Sequence, residues 1–129
     1  VATSIEVQGL HHGGMPIPSA ARRGPLVATG GIPGLDPTDG SLPGRLEAQV
    51  ARVFANIEAI IAAAGGTVGD IVKITFHVAD RSARDLINQH WVDMFPDEAA
   101  RPARHTIARE LGGAQLVQAD FIAFVGSDA

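Results

Sequence analysis

Residues 115–125 constrain the fold of this chain more than any other stretch. Side chains alternate across a strand. Read that way, Leu116, Ile122 and Phe124 lie on one face and Val117, Ala119, Phe121, Ala123 and Val125 on the other. Both faces are apolar, so both need cover. Such a strand must be packed above and below.

One covering layer is visible upstream. Leu46, Val50, Val53, Phe54, Ile57, Ile60, Ile61 and Ala64 recur at spacings of three and four, the apolar stripe of a helix of about five turns. Glu47, Arg52 and Glu58 fall off the stripe, and Gly65-Gly66 supplies a stop. Residues 71–79 read as a strand, with Val72, Ile74, Phe76 and Val78 alternating with Lys73, Thr75 and His77. Ser82 with Asp85 resembles a capping box with Asp in the place of Glu. It opens a second helix with the stripe Ala83, Leu86, Ile87, His90, Trp91, Met94 and Phe95, ended by Pro96.

Residues 4–7, 26–29, 104–109 and 115–125 complete the strands, with Gly112-Gly113 turning between the last two. Pro16 and Pro18 block a helix in 11–23, which reads as irregular. The Gly, Pro and Asp density of 30–40 marks a long surface loop. The order predicts an α+β domain spanning 1–129, two helices packed on one face of a sheet. Two helices cover one face of the last strand. The other face meets another subunit or lies under the N-terminal segment; an oligomer is the expectation, because large apolar patches are rarely left open.

Composition removes several functions. With 10 Lys and Arg against 14 Asp and Glu, and Lys73 the single lysine, the net charge is −4. Nucleic-acid binding needs clustered cations, as does an anionic membrane surface, so neither partner is expected. There is no cysteine, hence no disulfide, thiolate metal site or cysteine nucleophile. The longest apolar run, 60–64, is far short of a bilayer span. No basic-then-apolar leader pattern stands at the start, so a cytoplasmic location is expected. His11-His12 has no third ligand nearby in sequence, and no metal is expected. No Gly-x-Ser-x-Gly elbow is present.

Several pieces fall into an ordered set: Thr29-Gly30-Gly31, Gln49 and Asn56 on the first helix, Ala64-Gly65-Gly66, Gly69-Asp70-Ile71-Val72-Lys73, Asn88 on the second helix, and Pro102-Ala103-Arg104. Together, over about residues 16–125, they resemble the Rid family, also called YjgF. The resemblance implies a chorismate-mutase-like fold and homotrimers whose sheets form a central barrel, with clefts between neighbouring subunits. It also implies hydrolysis of a reactive enamine or imine, such as 2-aminoacrylate, to a keto acid and ammonia, with no cofactor. Aliphatic imino acids and ring-cleavage enamines such as 2-aminomuconate both fit. The alternative is a non-catalytic binding or chaperone-like module of the same fold.

Arg104 sits where the family places the arginine that holds the substrate carboxylate, a task suited to a planar fork of donors. Thr29, Gly30 and Gly31 stand for the family's Ser-Gly-Gln, and the glycines permit close approach to the backbone. Asn88 matches an asparagine lining the cleft. Thr106 replaces a cysteine, and the region of Pro16, Ile17 and Pro18 replaces a tyrosine. Gln118 replaces a glutamate on the last strand; it orients water but cannot serve as a carboxylate base. Asp120, two residues on, shares its face and is a candidate substitute. His105 follows Arg104 and points to the opposite face, toward an interface or core. Lys73 reads as an ion-pair partner.

Overall fold

The computed structural model describes residues 1–126. Nine elements matter for the site: β1 (Thr3–Ile5), β2 (Ala20–Arg23), β3 (Leu26–Thr29), β4 (Ile32–Pro33), α1 (Leu46–Ala63), β5 (Ile71–Val78), α2 (Ala83–Met94), β6 (Ala103–Ala108) and β7 (Val117–Phe124). They form one mixed sheet in the order β1-β2-β3-β7-β5-β6, with β4 also pairing with β7. Only β5 and β6 run parallel; the other pairs are antiparallel.

Both helices lie on one face of this sheet. The Phe54 ring of α1 stacks on Phe76 of β5 at 5.4 Å, and Trp91 of α2 meets the same ring edge-on at 6.3 Å. The α1 stripe is buried from Val50 to Ile61. The helix closes as a Schellman turn: Gly65 adopts φ +88°, its N–H bonds the Ala62 carbonyl, and Gly66 N–H bonds Ile61.

The strand β7 alternates as expected. Val117, Ala119, Phe121, Ala123 and Val125 are buried against the helices. On the opposite face, Leu26 and its direct partner Phe124, together with Ile122, remain 45–56% exposed. The N-terminal segment does not cover them. It lengthens the sheet as β1 and β2, antiparallel beside β3, so that alternative fails.

Four further readings need correction. Residues 20–23 form a strand where irregular chain is expected, because Ala-Ala-Arg-Arg shows no hydrophobic alternation yet pairs in full register with β3 through a Gly24-Pro25 turn. A bulge between Ile71 and Lys73 puts Ile71, not Val72, into the core. Residues 30–40 are not loop throughout: Ile32–Pro33 pair with β7 as β4 and Ile32 is buried, whereas Gly112-Gly113 does turn between β6 and β7 as expected, although β5 lies between those strands. Ser82 caps nothing with its side chain; Asp80 Oδ1 instead accepts from the Ser82 N–H at 2.8 Å. Hydrogen bonds from Ser82 hold the exposed Asp80 carboxyl below its usual range. Among the described residues no helix is long and apolar enough to cross a membrane.

Candidate functional site

Two buried amides on α1 shape the loops around the sheet's end. Gln49 Nε2 donates to the carbonyls of Pro43 (2.8 Å) and Ala114 (3.1 Å), and its Oε1 accepts from Leu116 N–H at 2.8 Å. Asn56 Nδ2 donates to the carbonyls of Pro33 and Leu35 at 2.8 and 2.9 Å, while its Oδ1 accepts from Arg52 at 2.8 Å. Both N–H donors and the oxygen of each amide are therefore bonded, three hydrogen bonds apiece, which is what complete burial demands. The loops they pin are the walls of a cavity of about 570 Å³.

That cavity gathers part of the expected site. Gly31, Gln118 and Ile17 line it, along with His11, His12, Met15, Leu35, Leu42 and Gln115. β4 makes the junction: Ile32 pairs with Ala119 and Pro33 with Gln118, so Gly31 arrives beside the Gln118 side chain. A Cβ on Gly31 would stand 3.2 Å from Gln118 Oε1, a close contact that the Gln118 side chain would have to relieve by shifting. His12 Nε2 lies 3.0 Å from the Gly31 carbonyl. A carbonyl only accepts, so Nε2 carries the proton. His12 Nδ1 is shielded from solvent and has no partner among the described residues. A Cβ on Gly30 would lie in ordinary van der Waals contact with the His12 ring, 3.6 Å from Nε2. The Thr29 hydroxyl is committed to backbone, donating to the Gly30 carbonyl and accepting from Phe121 N–H.

Gln118 belongs to a polar network on the exposed face of the sheet. Its Nε2 donates to Gln115 Oε1 at 2.7 Å. Its register partner on β5 is His77. Arg109 Nε donates to His77 Nδ1 at 3.0 Å and its second arm reaches Gln118 Oε1 at 3.5 Å. His77 Nδ1 is thus the acceptor, Nε2 holds the proton, and it donates to Asp120 Oδ2 at 3.0 Å. Asp120 does share the face of Gln118, but its carboxylate is spent on His77 rather than turned into the cavity.

Arg104 lies elsewhere. Its register partner is Ile74, a helix-facing core residue, so Arg104 projects on the α2 side of the edge strand β6. Its guanidinium stands 5.1 Å from the Trp91 ring centroid and 6.0 Å from that of Phe76, a stacked cation held over aromatic faces. It donates to Asn88 Oδ1 at 2.6 Å. Burial, and then the Arg84 charge, pull its pKa below the ordinary value, and a guanidinium remains charged regardless. Thr106, partner of Phe76, is on the same face. His105 points the opposite way and is exposed.

The expected site residues therefore fall in two separate places on the protomer: Arg104, Asn88 and Thr106 on the helix side of β6, and Gly31, Gln118 and Ile17 at the cavity on the other side of the sheet. Sequence reasoning left the roles of His11 and His12 open, read His77 as packed or paired without naming its partner Asp120, and missed Arg109. The only available signal was the two-residue spacing of Gln118 and Asp120. Among the described residues no group of three or more His, Cys, Asp or Glu side chains is placed to hold a metal.

Residues 17–124 match the family described as Endoribonuclease L-PSP. A 2-iminobutanoate/2-iminopropanoate deaminase of Escherichia coli is 35% identical over 83 residues, 64% of this chain and 64% of that protein. A RutC family protein of Aquifex aeolicus is 34% identical over 74 residues, 57% of this chain and 59% of its own. The chain thus aligns with about three fifths of the length of these curated relatives. Solved structures align over nearly all of it. RidA from the Antarctic bacterium Psychrobacter sp. superposes with TM-score 0.87 at 27% identity, covering 95% of this chain and 99% of that one. TdcF of E. coli with bound serine gives TM-score 0.86 at 27% identity, covering 96% and 99%.

Proposed function

This chain belongs to the Rid (YjgF/RidA) family, and on that premise we propose that it hydrolyses an imine or enamine carboxylate to the keto acid and ammonia, at a cleft completed by a second copy of itself. The observation that carries this reading is Arg104. A partly buried guanidinium, stacked on Trp91, has a neutral amide oxygen for a partner and no carboxylate among the described residues. Partial burial strips some water from this cation, and a substrate carboxylate meets its fork of donors. The serine bound by TdcF and the deaminase named in E. coli agree with an amino-acid-like ligand.

The chemistry asks little. The oxygen of a water bonds to the imine carbon as the C=N π pair moves to nitrogen, which takes up a proton. The carbinolamine then loses ammonia as C=O forms. Gly31 leaves backbone open to the reacting end, and Gln118 orients the water through its amide. Arg104 and Gln118 sit on opposite faces of one sheet, so a site using both draws them from different copies. The half-exposed Leu26, Ile122 and Phe124 supply an apolar face for that assembly, and a homotrimer is the form we propose.

A second reading, ligand binding without turnover, is favoured by one feature: Gln118 carries no titratable carboxylate, and Asp120 is bonded to His77. An amino-acid oxidase generating imino acids in solution separates the two. Faster ammonia release with the protein than in buffer is expected; a rate equal to buffer across several imino acids leaves the binding reading ahead.

A further inference from the structure

We propose that His77 and Arg109 are positioning residues for Gln118, and that the proton on His77 decides whether Gln118 is held for the reaction. This role rests on the deaminase reading for what Gln118 does, though not for how Gln118 is held.

The links run outward from Arg109. Its Nε donates to His77 Nδ1 at 3.0 Å, its Nη1 donates to the Glu110 carbonyl at 3.0 Å, and its Nη2 approaches Gln118 Oε1 at 3.5 Å. His77 passes a hydrogen bond on from Nε2 to Asp120 Oδ2 at 3.0 Å. Gln118 passes one from Nε2 to Gln115 Oε1 at 2.7 Å. Every one of these links joins residues of one chain, so the relay stands without a second copy.

The relay sets the Gln118 amide one way round. A cation stands on its oxygen side and an acceptor on its nitrogen side. The reversed amide would turn its N–H groups toward the guanidinium and its oxygen toward that of Gln115. At 3.5 Å the Arg109 contact is long for a hydrogen bond and acts chiefly as a positive charge on the amide dipole. Oε1 is the atom that a Cβ on Gly31 would meet at 3.2 Å, so the oxygen is turned toward Gly31 and the reacting end of the ligand. A water that donates to Oε1 keeps a lone pair for the imine carbon.

His77 is the member that changes state. With its proton on Nε2, it offers the Nδ1 lone pair to Arg109. A second proton occupies Nδ1. The acceptor becomes a donor, and an imidazolium then faces a guanidinium. Asp120 retains the imidazolium as an ion pair, Arg109 is expelled, and Gln118 loses the cation that orients it. Arg109 and Asp120 are the charged groups bonded to His77. His105 on β6 and Lys73 on β5 are exposed on the same face of the sheet, and their positive charge reinforces the expulsion when His105 is protonated.

Side-chain NMR of the wild-type protein follows both residues through pH. The Gln118 amide signal should move with protonation of the His77 ring. It should stay in place at that pH in Arg109→Met and in His77→Gln, whose amide can serve Arg109 and Asp120 without titrating. Imine hydrolysis completes the test. Arg109→Met should lower kcat by about tenfold to a hundredfold, as misplacing a reacting group does, with KM little changed because Arg104 holds the carboxylate. Wild-type kcat should fall on the acid side together with the His77 signal, and His77→Gln should remove that limb, the other histidines being present in both proteins. A Gln118 signal indifferent to His77 protonation, or the same acid limb in wild type and His77→Gln, overturns the proposal. A Gln118 signal that follows His77 in a protein that turns over no imine upholds the hold on Gln118 and sinks the deaminase.

Discussion

The Arg104 guanidinium donates to the Asn88 side-chain oxygen at 2.6 Å while lying 5.1 Å from the Trp91 ring centroid. Asn88 and Trp91 are three residues apart on α2, hence neighbours on one helix face. Together they fix the plane of the fork and leave some of its N–H groups unclaimed by any acid among the described residues.

Replacing Arg104 by Ala should cut kcat/KM by about 30-fold to several thousand-fold. Losing one partner of a desolvated, hydrogen-bonded ion pair costs roughly 2 to 5 kcal/mol, at about 1.4 kcal/mol per decade of rate. Lysine should recover little, since a point charge cannot reproduce the fork. The melting temperature should stay near that of wild type. Steady-state kinetics with thermal melts check this; an equally active Arg104→Ala would remove the residue from the site.

Opposite faces of β7 should respond differently to the same charge. Phe121 is 1% exposed under the helices, so Phe121→Asp should unfold the protomer, a buried unpaired charge being among the most destabilising changes. Phe124→Asp on the open face should leave the circular dichroism spectrum intact and abolish assembly. Light scattering decides the second half: a Phe124→Asp protein of wild-type mass would place the interface elsewhere.

Much of this architecture was legible because burial follows periodicity. The α1 stripe and the alternation of β7 are both visible as repeats of apolar residues, and the structure buries the same side chains. What escaped was set by partners distant in sequence. Residues 20–23 become a strand through pairing with β3, and β6 joins β5 in parallel across the α2 crossover. No local pattern announces either. The bulge that exchanges Ile71 for Val72 is likewise invisible to a count of alternating residues. At the site, Gln49 and Asn56 stood out as motif residues, yet their work is holding the cavity walls through carbonyls as far away as Ala114. His12 meets Gly31 only because the chain folds 11–17 against β4.

Gln49→Leu should destabilise the protein by at least about 2 kcal/mol. It strands the carbonyls of half-buried Pro43 and exposed Ala114 and the N–H of half-buried Leu116, and an unsatisfied group costs about 1–3 kcal/mol where water cannot reach it. Urea unfolding would show a lower midpoint at unchanged slope. A midpoint equal to wild type would mean that the loops find other partners.

Gln118→Glu should raise turnover of a simple imine if a carboxylate at this position limits the rate. The new carboxylate would lie within reach of the Arg109 guanidinium that now approaches Gln118 Oε1 at 3.5 Å, and it would lose the amide donor now spent on Gln115. The pH–rate profile of the variant should gain an acid limb in the carboxylate range, because only the ionised form accepts a proton from water. An unchanged rate and profile would show that water is placed by another group.

The central claim is that one working site takes Arg104 from one copy and Gly31 with Gln118 from another. Complementation between inactive variants tests it most directly. Arg104→Ala lacks the clamp, and Gly31→Leu blocks the Gln118 side, where a Cβ would already stand 3.2 Å from Oε1. The two proteins, each inactive alone, are unfolded together, refolded as mixed assemblies and assayed for imine hydrolysis. A site shared between copies predicts partial recovery of activity in the mixture, from clefts that pair an intact Arg104 with an intact Gly31. A mixture as inactive as its components, despite mixed assemblies demonstrated by native mass spectrometry, would contradict the claim.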